Sequence, residues 1–166
     1  MRFQSIALRG YRNLGSVRRT DWGPGLNLIL GPNGAGKTNL LESLNVLSGW
    51  GTFSGRVSSA VAWDSPDGRA LLAARTSGER DIEVSALLSS RMTLKADGER
   101  ISGSDLRARL PSLSFLPTDI DLIDGPSSVR RRFLDRLCAL CIPSYARRLS
   151  EYRTWQIGRA SCRERV

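Results

Sequence analysis

The 166-residue sequence contains no histidine, and that single absence removes a large share of enzyme chemistry. Ser-His-Asp and Cys-His nucleophilic catalysis are excluded, as is every histidine-ligated metal site. Cysteine is scarce and odd in number, with three residues. Three thiols do not make a disulfide framework, which points to a reducing, cytoplasmic setting. Long apolar runs are missing too: none approaches the roughly 18–20 residues that a membrane span needs. Met1-Arg2-Phe3-Gln4 leads into a strand-like segment without the apolar stretch of a secretory signal. Lysine is nearly absent. Only Lys37 and Lys95 occur among 25 basic residues, so the rest are arginine. A GC-rich coding sequence produces the same bias, so the position of each arginine says more than their number.

What is present suits one domain with a real core. Hydrophobic residues make up 40% of the chain, which rules out wholesale disorder. The formal charge of +9 favours a polyanionic partner but says nothing about fold. No repeat or low-complexity segment interrupts the chain.

The richest signal lies in the first fifty residues. Phe3 to Leu8 alternate as a short strand, Gly10 to Gly15 read as a turn, and Ser16 to Trp22 predict a second strand closed by Gly23-Pro24-Gly25. Leu26 to Leu30 form an apolar run of the kind found in buried strands. Directly after it, Gly31-Pro32-Asn33-Gly34-Ala35-Gly36-Lys37-Thr38 satisfies G-x-x-x-x-G-K-[ST]. Leu40, Leu41, Leu44 and Leu47 then recur at helical spacing. Strand, glycine loop and helix are the context this phosphate-binding motif requires. The glycines let the backbone turn its N–H groups inward around phosphate oxygens, and the helix N-terminus presents orphan donors to the same anion. Lys37 is expected to reach the β- and γ-phosphates of ATP, and the Thr38 hydroxyl to coordinate Mg²⁺. Arg12 and Asn13 stand in a turn near this loop. They read either as nucleotide contacts or as ordinary turn residues.

The middle of the chain reads as an antiparallel meander beside the nucleotide fold. Ala60–Trp63, 69–76, 81–88 and 91–95 predict short strands, with Asp67-Gly68, Ser77-Gly78 and Asp97-Gly98 as turns. A glycine-rich, mobile loop is expected over 49–55. A short helix is predicted over 104–110, stopped by Pro111, and another short strand over 112–116. After the acidic, turn-rich 117–125, Ser127 or Ser128 offers an N-cap for a helix whose Phe133, Leu137 and Leu140 face a core. Arg130, Arg131 and Arg132 span nearly one turn of it and so point in different directions. One is expected to pair with the preceding aspartates and another to meet phosphate of nucleotide or DNA, the alternative being a solvated helix face. Cys138 and Cys141 have C-x-x-C spacing but lack a second ligand pair, so they are read as buried structural thiols. Residues 143–155 begin a further amphipathic helix.

The last ten residues, 157–166, have neither periodicity nor an apolar face. Back-translated, they can spell a common sequencing-library adapter. They are therefore read as foreign, with 1–156 native and the natural protein continuing past Gln156. Without Arg159, Arg163, Arg165 and Glu164 the charge falls by two and stays basic.

Two separated stretches resemble known families. Leu8-Arg9-Gly10-Tyr11-Arg12-Asn13, followed by Gly31 to Thr38, resembles the ATPase heads of the SMC and ABC-like group. Phe115-Leu-Pro-Thr-Asp119, through Gly125 to Arg130-Arg131-Arg132-Phe133-Leu134-Asp135, resembles the second signature of the RecF family of bacterial recombination mediators. The resemblance covers about residues 2–155, roughly the N-terminal half of such a protein. It departs at Thr118, where the family usually has an acid, and at Ser127, where the family's proline aligns and this chain has Pro126 instead. The implied fold is α/β: the N-terminal part of an ABC/SMC-type P-loop ATPase head, truncated, with an antiparallel β-meander lobe. The implied activity is ATP- and Mg²⁺-dependent binding of single-stranded, gapped or junction DNA, weak DNA-dependent ATP hydrolysis and loading of recombinase during repair. The implied partners are a second copy of the chain, joined through ATP, with RecO, RecR and a RecA-type recombinase. The acidic pair and Ser-Gly-Gly-type signature that complete such a site do not occur here, so no catalytic residue is assigned. Other readings are another SMC-type head, a transporter nucleotide-binding subunit, or a nucleotide-binding scaffold without a DNA role.

Overall fold

The computed structural model describes residues 2–142, 144, 145, 147–149, 151, 152, 154 and 155. The chain divides into two compact units, Met1–Leu110 and Pro111–Val166. The tail 157–166, read above as adapter-derived, lies outside the described residues, as do Pro143 and Gln156.

The first unit is built on a six-stranded, fully antiparallel sheet. Strand β1 (Arg2–Tyr11) and β2 (Leu14–Arg19) form a hairpin. Helix α1 (Lys37–Leu47) follows, and β3 (Ala70–Ser77) returns to pair with β1 on its other side. β4 (Ile82–Leu88), β5 (Met92–Ala96) and β6 (Glu99–Ile101) then add on in turn, giving the order β2-β1-β3-β4-β5-β6. The expected meander is present. Its basis is the period-2 alternation of Ala70, Leu72, Ala74 and Thr76, paired with Ile82, Val84, Ala86 and Leu88 on one buried face. β6 escaped sequence reading because it is only three residues long. Asp97 and Gly98 both have positive φ, 52° and 86°, which suits the two-residue turn joining it to β5.

Val46 and Leu47 of α1 and Leu106 of α2 (Gly103–Arg109) join Ile6, Leu8, Tyr11, Leu72, Val84 and Leu88 in the core. Each fully buried side chain of this size contributes about 1.5–3 kcal/mol. Leu41, counted above on the apolar stripe of α1, is half exposed. The other three leucines of the stripe do face the core, Leu47 buried and Leu40 and Leu44 packed against it, and Glu42, Ser43 and Val46 complete the inward face.

Several expectations fail for definable reasons. Residues 26–30 are not a strand, and Leu26, Leu28 and Leu30 are 94%, 74% and 79% exposed. No neighbouring strand among the described residues accepts their backbone groups. Asn27 instead bonds back locally, its Oδ1 accepting from Gly23 N–H at 2.8 Å and its Nδ2 donating to the Gly25 carbonyl at 3.0 Å. Ala60–Trp63 is likewise no strand. A 3-10 turn, Val57–Ala60, ends in a single bridge from Val61 to Tyr11, and turns around Pro66 to Gly68 divert the chain at once. The second hairpin strand runs Leu14–Arg19 rather than from Ser16 to Trp22.

The second unit is helical. A 3-10 turn (Pro117–Ile120) leads into α3 (Asp121–Asp124) and α4 (Ser127–Cys141). Residues 112–116 form no strand, and the N–H of Leu116 donates to the Asp119 carboxylate at 2.6 Å. α4 has Pro126 at its N-cap, so Ser127 already lies inside the helix. Proline's fixed φ, here −60°, sets up the entry without a side-chain cap. Phe133, Leu137 and Leu140 are half-buried, and no described residue beyond Leu110 is fully buried. The cysteines are not buried thiols either: Cys138 is half-buried and Cys141 exposed. No helix among the described residues is long and apolar enough to cross a membrane.

Candidate nucleotide-binding site

The Gly31–Gly36 loop enters α1 at Lys37, with Gly36 as N-cap at φ +89°. No side chain caps this helix start, and its first turn carries no acid. Its orphan N–H groups and positive dipole end are therefore presented at the loop. Lys37 curls back over the loop, its Nζ donating to the carbonyls of Gly31 at 2.8 Å and Pro32 at 2.7 Å. Thr38 is exposed in the first turn.

A second layer holds this loop. Asn13 Nδ2 donates to the Gly34 carbonyl at 2.7 Å, while its Oδ1 accepts from Asn39 Nδ2 at 2.7 Å. Asn13 thus bridges the loop to the helix that follows it. Gly36 is required twice over at this point. Its φ is left-handed, and a Cβ there would lie 2.8 Å from Asn13 Oδ1 and 2.6 Å from Leu14 Cδ2.

Arg12 turns away from the loop. It has φ +53° and forms a two-point ion pair with Glu42, Nε to Oε2 and Nη2 to Oε1, both at 2.8 Å. It also donates to the Ser54 carbonyl at 3.2 Å. Glu42 is 2% exposed and accepts two further bonds, from Tyr11 Oη at 2.7 Å and Phe53 N–H at 2.8 Å. Burial opposes its charge, yet the bonds from Arg12, Tyr11 and Phe53 together outweigh burial and hold the carboxyl below its ordinary range. Burial, and then the bond to Glu42, push the Tyr11 phenol up. The bond to Glu42 likewise raises Arg12.

The glycine-rich segment after α1 is pinned from three sides. Glu42 takes Phe53 N–H, Asn45 Nδ2 donates to the Gly51 carbonyl at 2.7 Å, and Arg107 stacks 4.7 Å from the Trp50 ring centroid while donating to the Gly49 carbonyl.

The loop residues Gly31 to Thr38, with Asn13, thus form one cluster. Arg12 belongs to a buried network beneath it. Arg130, Arg131 and Arg132 are exposed on α4 of the second unit. Arg130 donates to the Gly125 carbonyl at 2.8 Å rather than pairing with an aspartate. Glu42 and Asn39 were missed in sequence. The available signal for Glu42 was a lone acid in an apolar helix, downstream of an adjacent Tyr-Arg pair.

Comparison with known proteins sets this geometry in a family. The AAA domain family matches residues 5–109. The DNA replication and repair protein RecF of Heliobacterium modesticaldum is 34% identical over 155 residues, covering 92% of this chain and 41% of that protein. The chain belongs to the AAA domain family, as a RecF-type member. It spans about two fifths of the length of that relative. A solved structure of the recombination mediator RecF with ATP, in the RecFOR pathway, superposes on this RecF-type chain with TM-score 0.88 at 23% identity. That match covers 99% of this chain and 45% of the other. A structure from work on ATP-driven dimerization and DNA-stimulated activation of SMC ATPases matches at TM-score 0.64 and 17% identity, over 82% of this chain and 99% of the other. The α/β, ABC/SMC-type head with its antiparallel lobe is the fold of this RecF-type chain.

Proposed function

We propose that the loop from Gly31 to Thr38 binds the phosphates of ATP with Mg²⁺, and that the RecF-type protein couples this to DNA binding in repair. The observation that carries the reading is the loop itself. A glycine turn is locked by Asn13, opens onto an uncapped helix start and holds an ammonium over its centre. Lys37 spends its charge on two loop carbonyls. Phosphate oxygens are stronger acceptors than neutral carbonyls, so the ammonium exchanges them for the β- and γ-phosphates. The exposed Thr38 hydroxyl fits a hard cation as one ligand, and phosphate and water oxygens supply the others, as is usual for Mg²⁺. Among the described residues no cluster of acids, cysteines and histidines offers a separate metal site.

The finer parts of the reading rest on likeness to RecF: action at gapped or junction DNA, recombinase loading with RecO- and RecR-type partners, and an ATP-joined homodimer. The segment that completes the site would come from the remaining three fifths of such a protein, and would also cover Leu26, Leu28 and Leu30. These 166 residues are expected to bind ATP without turning it over.

Titration with a fluorescent ATP analogue tests the reading. Micromolar or tighter, Mg²⁺-dependent binding is expected, with Lys37→Ala weakening it about 10- to 100-fold, the worth of one or two charge-assisted hydrogen bonds. Equal affinity in the unmodified chain and Lys37→Ala would overturn it.

A further inference from the structure

The outward face of the six-stranded sheet carries a charge pattern that the nucleotide site does not explain. Strand register places Arg18 (β2), Ala7 (β1), Ala73 (β3), Ser85 (β4), Lys95 (β5) and Arg100 (β6) in one row across the sheet. Cations stand at both ends of this row, with small side chains between them. One step along the strands on either side, the same face adds Arg9 and Arg75, and Arg2 lies beyond. All six cations are exposed. Glu83 is the single acid on this face among the described strand residues, and it lies 3.6 Å from Arg75, the one cation it offsets. At its β2–β1–β3 end the face is concave: Ala7 and Ala73 help line a trough of about 490 Å³ whose rim includes Arg18, Arg75 and Glu83.

Six strands at about 4.8 Å spacing separate Arg18 from Arg100 by roughly 24 Å. Over that length B-DNA presents about 14 phosphates, at one charge per 1.7 Å of axis, ample for five uncompensated cations. The face has no aromatic side chain, so it offers no platform on which unpaired bases could stack. Leu71 and Leu87 are its large apolar residues.

We propose that this sheet face is a contact surface for the sugar-phosphate backbone of duplex DNA, read without sequence preference. The proposal rests on the DNA-binding reading above and assigns it a place. That place is the double-stranded part of the substrate, on the sheet, instead of Arg130 to Arg132 on α4.

The test is the salt dependence of binding, by the 166-residue chain, to a labelled 30-base-pair duplex and to a single strand of equal length. Five phosphate contacts give a slope of log K against log salt of about −4.5 for the duplex. The triple variant R18Q/K95Q/R100Q is expected to bring this to about −2 and to weaken duplex binding at least tenfold at low salt, with nucleotide affinity unchanged as the folding control. K95Q/R100Q, confined to the edge hairpin, gives an intermediate slope and serves if the triple variant does not fold. The parallel variant R130Q/R131Q/R132Q separates the two surfaces. An unmoved slope in the sheet variants, or a slope lost only in the α4 variant, would overturn the assignment while leaving DNA binding intact. Tighter binding to the single strand would also overturn it. Absence of binding to either DNA by the unmodified chain would instead sink the DNA-binding reading itself.

Discussion

Glu42→Gln is the substitution whose consequences the structure specifies most fully. The carboxylate is buried at 2% exposure and accepts four hydrogen bonds, two of them from one guanidinium. Glutamine keeps the volume and one acceptor oxygen, but it puts an amide where a second oxygen accepted and removes the counter-charge of Arg12. Breaking one side of a buried ion pair costs about 3–5 kcal/mol. Arg12 retains 20% side-chain exposure and can be partly rehydrated, which brings the expectation to about 2–3 kcal/mol. Against a typical domain stability of about 5–15 kcal/mol that is a large fraction. The urea midpoint should fall clearly with an unchanged slope. The change should also depend on pH. Glu42 titrates below its ordinary range when folded, so its contribution is fully present above the unfolded carboxyl value of about 4.3. It is lost as pH falls through the lower, folded value. The gap between the two proteins should therefore be constant from pH 6 to 8 and close in acid. A loss below about 0.5 kcal/mol at neutral pH, or a gap that widens in acid, would refute this role for Glu42.

The other expectations concern the loop and the chain end. Gly36→Ala places a Cβ at left-handed φ, at about 1–2 kcal/mol, and drives Asn13 off the Gly34 carbonyl, so nucleotide affinity should fall at least about tenfold, more than for Asn13→Ala, while circular dichroism stays near that of the parent. Retained affinity would count against the lock. Asn13→Ala removes two neutral hydrogen bonds of about 0.5–1.5 kcal/mol each, and should weaken nucleotide binding several-fold in titration with little effect on thermal stability. Sequencing the locus from an independent template should replace residues 157–166 with a continuing reading frame. A native frame encoding this same tail would end the adapter reading.

How much of this was legible depended on the range of the interaction concerned. The meander could be read because alternation at Ala70 to Thr76 and Ile82 to Leu88 is a local pattern with one buried face. The loop from Gly31 to Thr38 could be read because phosphate chemistry demands glycine, lysine and a hydroxyl at fixed offsets. Leu26 to Leu30 misled because an apolar run becomes a strand only when a neighbour pairs with it, and here Asn27 bonds backward instead. Arg12 is joined to Glu42 across 30 positions, a link that no spacing rule announces. The arginines of α4 looked like partners for nearby aspartates, yet Arg130 found a closer acceptor in the Gly125 carbonyl left at the end of α3. The register of the outer sheet face was invisible for the same reason. It exists only once six strands are aligned.

The most direct test of the central claim is amide chemical-shift mapping of the ¹⁵N-labelled chain as Mg²⁺-ATP is added. The largest changes are expected on the N–H groups of Gly34, Gly36, Lys37 and Thr38, with smaller ones at Asn13 and Asn39 and none on the outward face of β3 to β5. Unmoved loop amides at saturating nucleotide, or changes centred on α4, would contradict the claim.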